Sequence, residues 1–121
     1  MLDKEYYVMY SIMQRGVIMD TQIKKGLLDV CVLALLKRGD SYGYQLVYDL
    51  SAVIEVSEST LYPILKRLES AGQLVTYTRE HSGRLRRYYR ITREGMRRVA
   101  EFSREWRELE RINAFIRGED L

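Results

Sequence analysis

A mainly helical α+β fold, with three helices, one β-hairpin and a long last helix, is predicted by three features of this sequence. Apolar residues recur at helical spacing in four stretches. A run of β-branched and aromatic residues interrupts them between positions 74 and 91. The basic residues gather in that run and directly after it. The length of 121 residues, with 46% hydrophobic and 31% charged residues, suits one globular domain.

The first stretch, residues 22–38, carries Ile23, Leu27, Val30, Leu33 and Leu36 on one face. Leu28, Cys31, Val32, Ala34 and Leu35 widen that face almost all round, as in a core helix. Lys37 and Arg38 suit its C-terminal dipole and Gly39 the residue beyond. Asp40 or Ser41 can cap a second helix running to about Val53, with Gly43, Leu46, Val47 and Leu50 inward. A third helix starts after Ser57 or Ser59 and ends near Ala71, with Gly72 as its stop. Its inward face is Leu61, Ile64, Leu65 and Leu68, and its outward face is Ser59, Thr60, Tyr62, Pro63, Lys66 and Arg67. Pro63 favours a start nearer Ser59 or Thr60, because proline is easily held only in a first turn.

Strands are expected over Leu74–Arg79 and Leu85–Ile91, with the turn composition of residues 80–84 between them. His81 falls at the tip, where a solvent-exposed role is the simplest. Thr92 then caps a helix to about Arg117, with Gly118 beyond. In it Val99, Phe102, Trp106, Leu109, Asn113 and Ile116 are spaced alternately three and four apart, an a/d seam suited to pairing with a second copy. Asn113 at an a position would fix the register.

Charge placement points to a partner. The 20 Lys and Arg against 17 Asp and Glu leave a net charge of only +3. Residues 73–98, however, hold Arg79, Arg84, Arg86, Arg87, Arg90, Arg93, Arg97 and Arg98 against Glu80 and Glu94, and the flanking segments are mildly acidic. All the basic residues there are Arg, whose planar fork suits phosphates and base edges, and Tyr88 and Tyr89 are interleaved. Two helices joined by a tight turn, followed by a basic hairpin, make a winged helix-turn-helix with a two-stranded wing and a C-terminal dimerisation helix.

Other classes fit poorly. One cysteine (Cys31) and one histidine (His81) make neither an internal disulfide nor a metal site, and no cofactor is implied. A Gly-rich phosphate loop is missing, and Glu101, Glu105 and Glu108 read as a solvated face facing Arg104, Arg107 and Arg111, so an enzyme is not expected. The longest apolar run, Val30–Leu36, is far below the ~20 residues of a membrane span. With no secretory pattern at the N-terminus, a cytoplasmic location is expected. The competing class is a winged helix used only for protein interaction, for which so basic a wing would not be needed.

The segments Asp40-Ser-Tyr-Gly-Tyr-Gln-Leu46, Ser59-Thr-Leu-Tyr-Pro-Ile-Leu-Lys-Arg-Leu-Glu69, Gly72 and Arg86-Arg-Tyr-Tyr-Arg-Ile-Thr-Arg-Glu-Gly95 resemble the PadR family of bacterial transcriptional regulators. The resemblance covers about residues 20–117, and the single short last helix resembles its smaller subfamily. It implies a homodimeric repressor, in many cases released by a small ligand. In small multidrug-sensing members a tryptophan of the last helix stacks planar aromatic drugs at the dimer interface. Trp106 stands at the matching place, with Phe102 beside it as a further candidate. Expected DNA contacts are Ser59, Thr60, Tyr62, Lys66 and Arg67 from the third helix and Arg79, Arg84, Arg86 and Arg87 from the wing. The duplex would be a pseudo-palindromic operator. Glu58 departs from the family pattern, and either accepts from a cytosine amino group or supports the helix dipole.

The expected divisions are an extension at 1–18, the winged helix-turn-helix DNA-binding domain at 19–92 and the dimerisation helix at 93–121. Arg15-Gly16 can be encoded AGG-GGN, the shape of a ribosome-binding site, which would make the extension translated leader and Met19 the native start. Against this, Tyr6, Tyr7, Val8, Tyr10, Ile12 and Met13 suit an amphipathic helix packing on the dimer.

Overall fold

The computed structural model describes residues 21–119, so both readings of the extension lie outside the described residues. Helix α1 is Thr21–Arg38. Strand β1, Ser41–Tyr42, leads directly into α2, Gly43–Leu50. Helix α3 is Glu58–Ser70. Strands β2, Leu74–His81, and β3, Arg84–Ile91, form the hairpin, and α4 is Arg93–Ile116.

One apolar core joins these elements. Leu28, Val32, Leu33 and Leu36 of α1 meet Leu46 and Leu50 of α2 and Leu61, Ile64, Leu65 and Leu68 of α3. Leu74, Tyr89 and Ile91 close it from the sheet. The inward face expected for α3 is therefore the buried one. Ile23 is not part of the core and is 58% exposed. Cys31 is partly buried against the core, and burial pushes its thiol pKa up, which suits a small apolar residue rather than a nucleophile.

The sheet adds a third strand to the expected two-stranded wing. It has three antiparallel strands in the order β1-β3-β2. Ser41 and Tyr42 pair with Tyr89 and Tyr88, so neither Asp40 nor Ser41 caps α2. Tyr42 takes the N-cap position, without a side-chain cap bond. The second helix also stops sooner than expected, because the Val53 and Ile54 amides fold back onto the Leu50 carbonyl in a turn.

Helix α3 starts earlier than Pro63 suggested. Ser57 Oγ accepts from the Thr60 amide at 3.3 Å and lies 2.9 Å from Ser59 Oγ and 3.1 Å from Thr60 Oγ1. Pro63 is inside the helix and removes one intrahelical donor. The cap before it and the buried Leu61, Ile64 and Leu65 around it hold the turn in place.

The hairpin turn is two residues long rather than five. Ser82 and Gly83 have φ of 51° and 79°, the pair of positive values that a type I′ hairpin turn requires. Both strands therefore extend further than expected, and His81 pairs with Arg84 at the exposed tip.

Thr92 caps α4 as expected, its Oγ1 accepting from the Gly95 amide at 3.2 Å and donating to the Gly72 carbonyl at 2.6 Å. A Cβ at position 95 would stand 2.2 Å from the Gln73 carbonyl oxygen, so only glycine fits where α4 meets the link between α3 and β2.

Candidate nucleic-acid interface

Ser59, Thr60, Tyr62, Pro63 and Lys66 lie on the exposed face of α3. The ring of Tyr62 leans over α2, so closely that a Cβ on Gly43 would come within 2.5 Å of its hydroxyl. Between this face and the wing runs an open groove of about 780 Å³. Tyr62, Arg84, Arg86 and Arg87 line it together with Tyr42 and Tyr44.

Strand alternation divides the wing arginines between two faces. Arg87 shares the inner face with Thr76 and Tyr89. It donates to Thr76 Oγ1 at 3.3 Å and lies 3.5 Å from Glu69 of α3. Arg79, Arg84, Arg86 and Arg90 share the other face with Tyr77 and Tyr88. There Tyr77 and Tyr88 stack with ring centroids 5.5 Å apart, and Tyr42 meets Tyr88 edge-on at 5.7 Å. The Arg86 guanidinium lies 3.9 Å above the Tyr42 ring, and Arg79 lies 5.5 Å from Tyr77. Stacking of this kind limits the wandering of a long side chain while leaving its N–H edge outward.

The basic block is partly neutralised from within. Arg87, Arg90, Arg97 and Arg98 face carboxylates. Arg79, Arg84 and Arg86 make no ion pair among the described residues. Asp40, expected as a helix cap, instead accepts from Tyr77 at 2.6 Å and from Arg90 Nε at 3.0 Å. Burial disfavours its ionisation, but the Tyr77 and Arg90 hydrogen bonds and the nearby arginine charges outweigh that and bring its pKa below the ordinary value. Bonding to Asp40 raises the Tyr77 phenol.

Arg67, expected among the DNA contacts and half exposed, also has a partner within the fold. Its Nη2 is 2.5 Å from Asp29 Oδ1 of α1. Asp29 escaped the sequence reasoning, and Asp40, Tyr42 and Tyr44 were not read as neighbours of the wing arginines. The signal for Asp29 was a lone carboxylate in an apolar helix, which demands a partner.

On α4, Phe102 and Trp106 stack with centroids 6.1 Å apart, and Trp106 Nε1 donates to Glu110 Oε1 at 2.8 Å. Val99 and Phe102 are partly buried. Beyond them the same helix leaves Trp106, Leu109 and Ile116 open, at 46%, 55% and 72% exposure. Asn113 is also exposed.

A helix-turn-helix followed by an arginine-rich hairpin defines the winged-helix class of transcriptional regulators. The chain belongs to the family described as "Transcriptional regulator PadR-like family", whose model matches residues 32–101. It is 35% identical over 104 residues to an uncharacterised protein X of Lysinibacillus sphaericus, covering 81% of this chain and 95% of that one. It superposes on a PadR family transcriptional regulator of Eggerthella lenta with a TM-score of 0.71 and 32% identity, over 94% of this chain and 97% of that one. A PadR family transcription regulator of Clostridium difficile gives 0.68 and 31%, over 74% and 97%. The family is one of regulators, not enzymes. Among the described residues no helix is long and apolar enough to cross a membrane.

Proposed function

We propose that this chain is a cytoplasmic, homodimeric repressor that binds a pseudo-palindromic operator and is released by a small planar aromatic ligand. The observation that carries this reading is the exposed face of α3 beside three arginines that have no carboxylate partner among the described residues. Residues 19–92 meet DNA and 93–121 pair two copies. Ser59, Thr60, Tyr62 and Lys66 enter the major groove. Arg79, Arg84, Arg86 and Arg87 hold the flanking backbone, and most of these contacts position rather than specify. The two-fold axis sets half-sites one helical turn apart, about 34–36 Å. In this reading Arg67, half exposed but bonded to Asp29, supports α3 rather than contacting DNA.

The full chain, offered a pool of random duplexes, is expected to enrich one inverted-repeat sequence. A pool that stays random overturns DNA recognition and favours a protein-interaction module.

The effector reading rests on Trp106, the only tryptophan, which is half exposed and stacked on Phe102 at the open seam. A planar ring sliding between the Trp106 side chains of two copies gains stacking on both faces. It acts on DNA affinity only by binding one dimer geometry better than the other. Planar aromatic compounds are expected to quench Trp106 fluorescence and lower operator affinity. Operator binding with no quenching by any of them leaves Trp106 a packing residue.

A further inference from the structure

Asp29 is a charged side chain buried in the middle of α1, 6% exposed. Its two oxygens serve two different helices. Oδ1 accepts from Arg67 Nη2 of α3 at 2.5 Å, and Oδ2 from Arg98 Nη2 of α4 at 3.3 Å. Arg98 Nη1 also donates to Gln73 Oε1 at 2.8 Å, in the link between α3 and β2. A carboxylate this far from water is retained only when its charge is matched, and here the matching groups come from the helix that would read DNA and the helix that would pair the copies. Directional charge-assisted bonds on both oxygens fix angle as well as distance.

We propose that Asp29 is a positioning residue for operator recognition: through Arg67 and Arg98 it sets the tilt of α3 relative to α4. The proposal rests on the DNA-binding function above. In a dimer joined through α4, the separation of the two α3 helices depends on that tilt. Specific binding needs both α3 helices in successive major grooves, whereas non-specific binding needs only phosphate contacts. Without the tie, specific affinity falls while the electrostatic part stays intact.

The test titrates the full chain against the duplex that wild type enriches and against a scrambled duplex, over a range of salt. Asp29→Asn and Arg98→Gln are each expected to weaken the enriched duplex about tenfold, within the range of ordinary inter-site coupling, and to leave the scrambled one nearly unchanged. Arg67→Ala is expected to weaken the enriched duplex without changing the slope of log K against log salt. Arg98 is partly exposed, so its variant tests the tie even where Asp29→Asn folds poorly. Equal losses on both duplexes mean a merely structural role and overturn the proposal. So does wild-type binding by both Asp29→Asn and Arg98→Gln. So does a slope that Arg67→Ala reduces by about 0.9 per protomer, the mark of a phosphate ligand. If wild type enriches no duplex, the DNA-binding function itself fails and takes this proposal with it.

Discussion

Glutamate at both Leu109 and Ile116 is expected to halve the mass of the protein in solution and to abolish tight operator binding. Both side chains lie on the last helix at more than half exposure, in the same three-four spacing as Phe102 and Trp106. An apolar strip this long facing water marks an interaction surface rather than a solvated face. In the proposed dimer two copies bury it against each other, and a glutamate at each site would put unpaired charges in that contact. Once monomeric, the chain engages one half-site at a time. Without the linked second site, apparent affinity falls by roughly 10²–10⁴. Light scattering after size exclusion reads the mass and anisotropy reads the affinity. A double variant that stays dimeric places the pairing surface elsewhere. One that is monomeric but binds at full strength removes the need for two half-sites.

The second large effect concerns the wing. Replacing Arg86 and Arg87 with alanine is expected to weaken binding to every duplex, specific or not, and to flatten the salt dependence. Each phosphate ligand removed takes about 0.9 from the slope of log K against log salt, so two positions in two protomers remove up to about 3.6. The two residues do not contribute alike. Arg86 lies 3.9 Å over the Tyr42 ring with no carboxylate partner among the described residues, whereas Arg87 lies 3.5 Å from Glu69 and donates to Thr76. Arg86→Ala alone is expected to carry the larger share. Titrations at several salt concentrations check this, and an unchanged slope in the double variant rules the wing out as a phosphate clamp.

Local chemistry made much of this fold legible. The apolar spacing of Leu61, Ile64, Leu65 and Leu68 named the buried face of α3, and Thr92 announced the start of α4 through an ordinary cap. Ser41 and Tyr42 did not read as a strand, because two residues cannot show an alternation and their pairing partners lie far along the chain. Pro63 misled in the other direction: a rule about helix starts lost to the serine cap and to burial on both sides of it. The candidate site was legible as a composition but not as a geometry. An arginine-rich block is visible at once, but which arginines are spoken for is not. Asp40 takes up Arg90 from 50 residues away, and Asp29 takes up Arg67 and Arg98 from 38 and 69 away. Pairings at that range follow from how α1, α3 and α4 pack and from how β1 pairs with β3, and no short-range pattern encodes them.

The tight crossing at Gly95 also has a mechanical side. Twenty-four residues of α4 at 1.5 Å each make a rod about 36 Å long, held at one end against the Gln73 carbonyl with no room for a methyl group. A rod pinned so close to its end behaves as a lever. A tilt of about 5° that scarcely moves the Gly95 end carries the far end about 3 Å at this helix rise. Run backwards, in the proposed dimer a displacement of several ångströms where two copies meet would arrive at the sheet as a rotation of a few degrees.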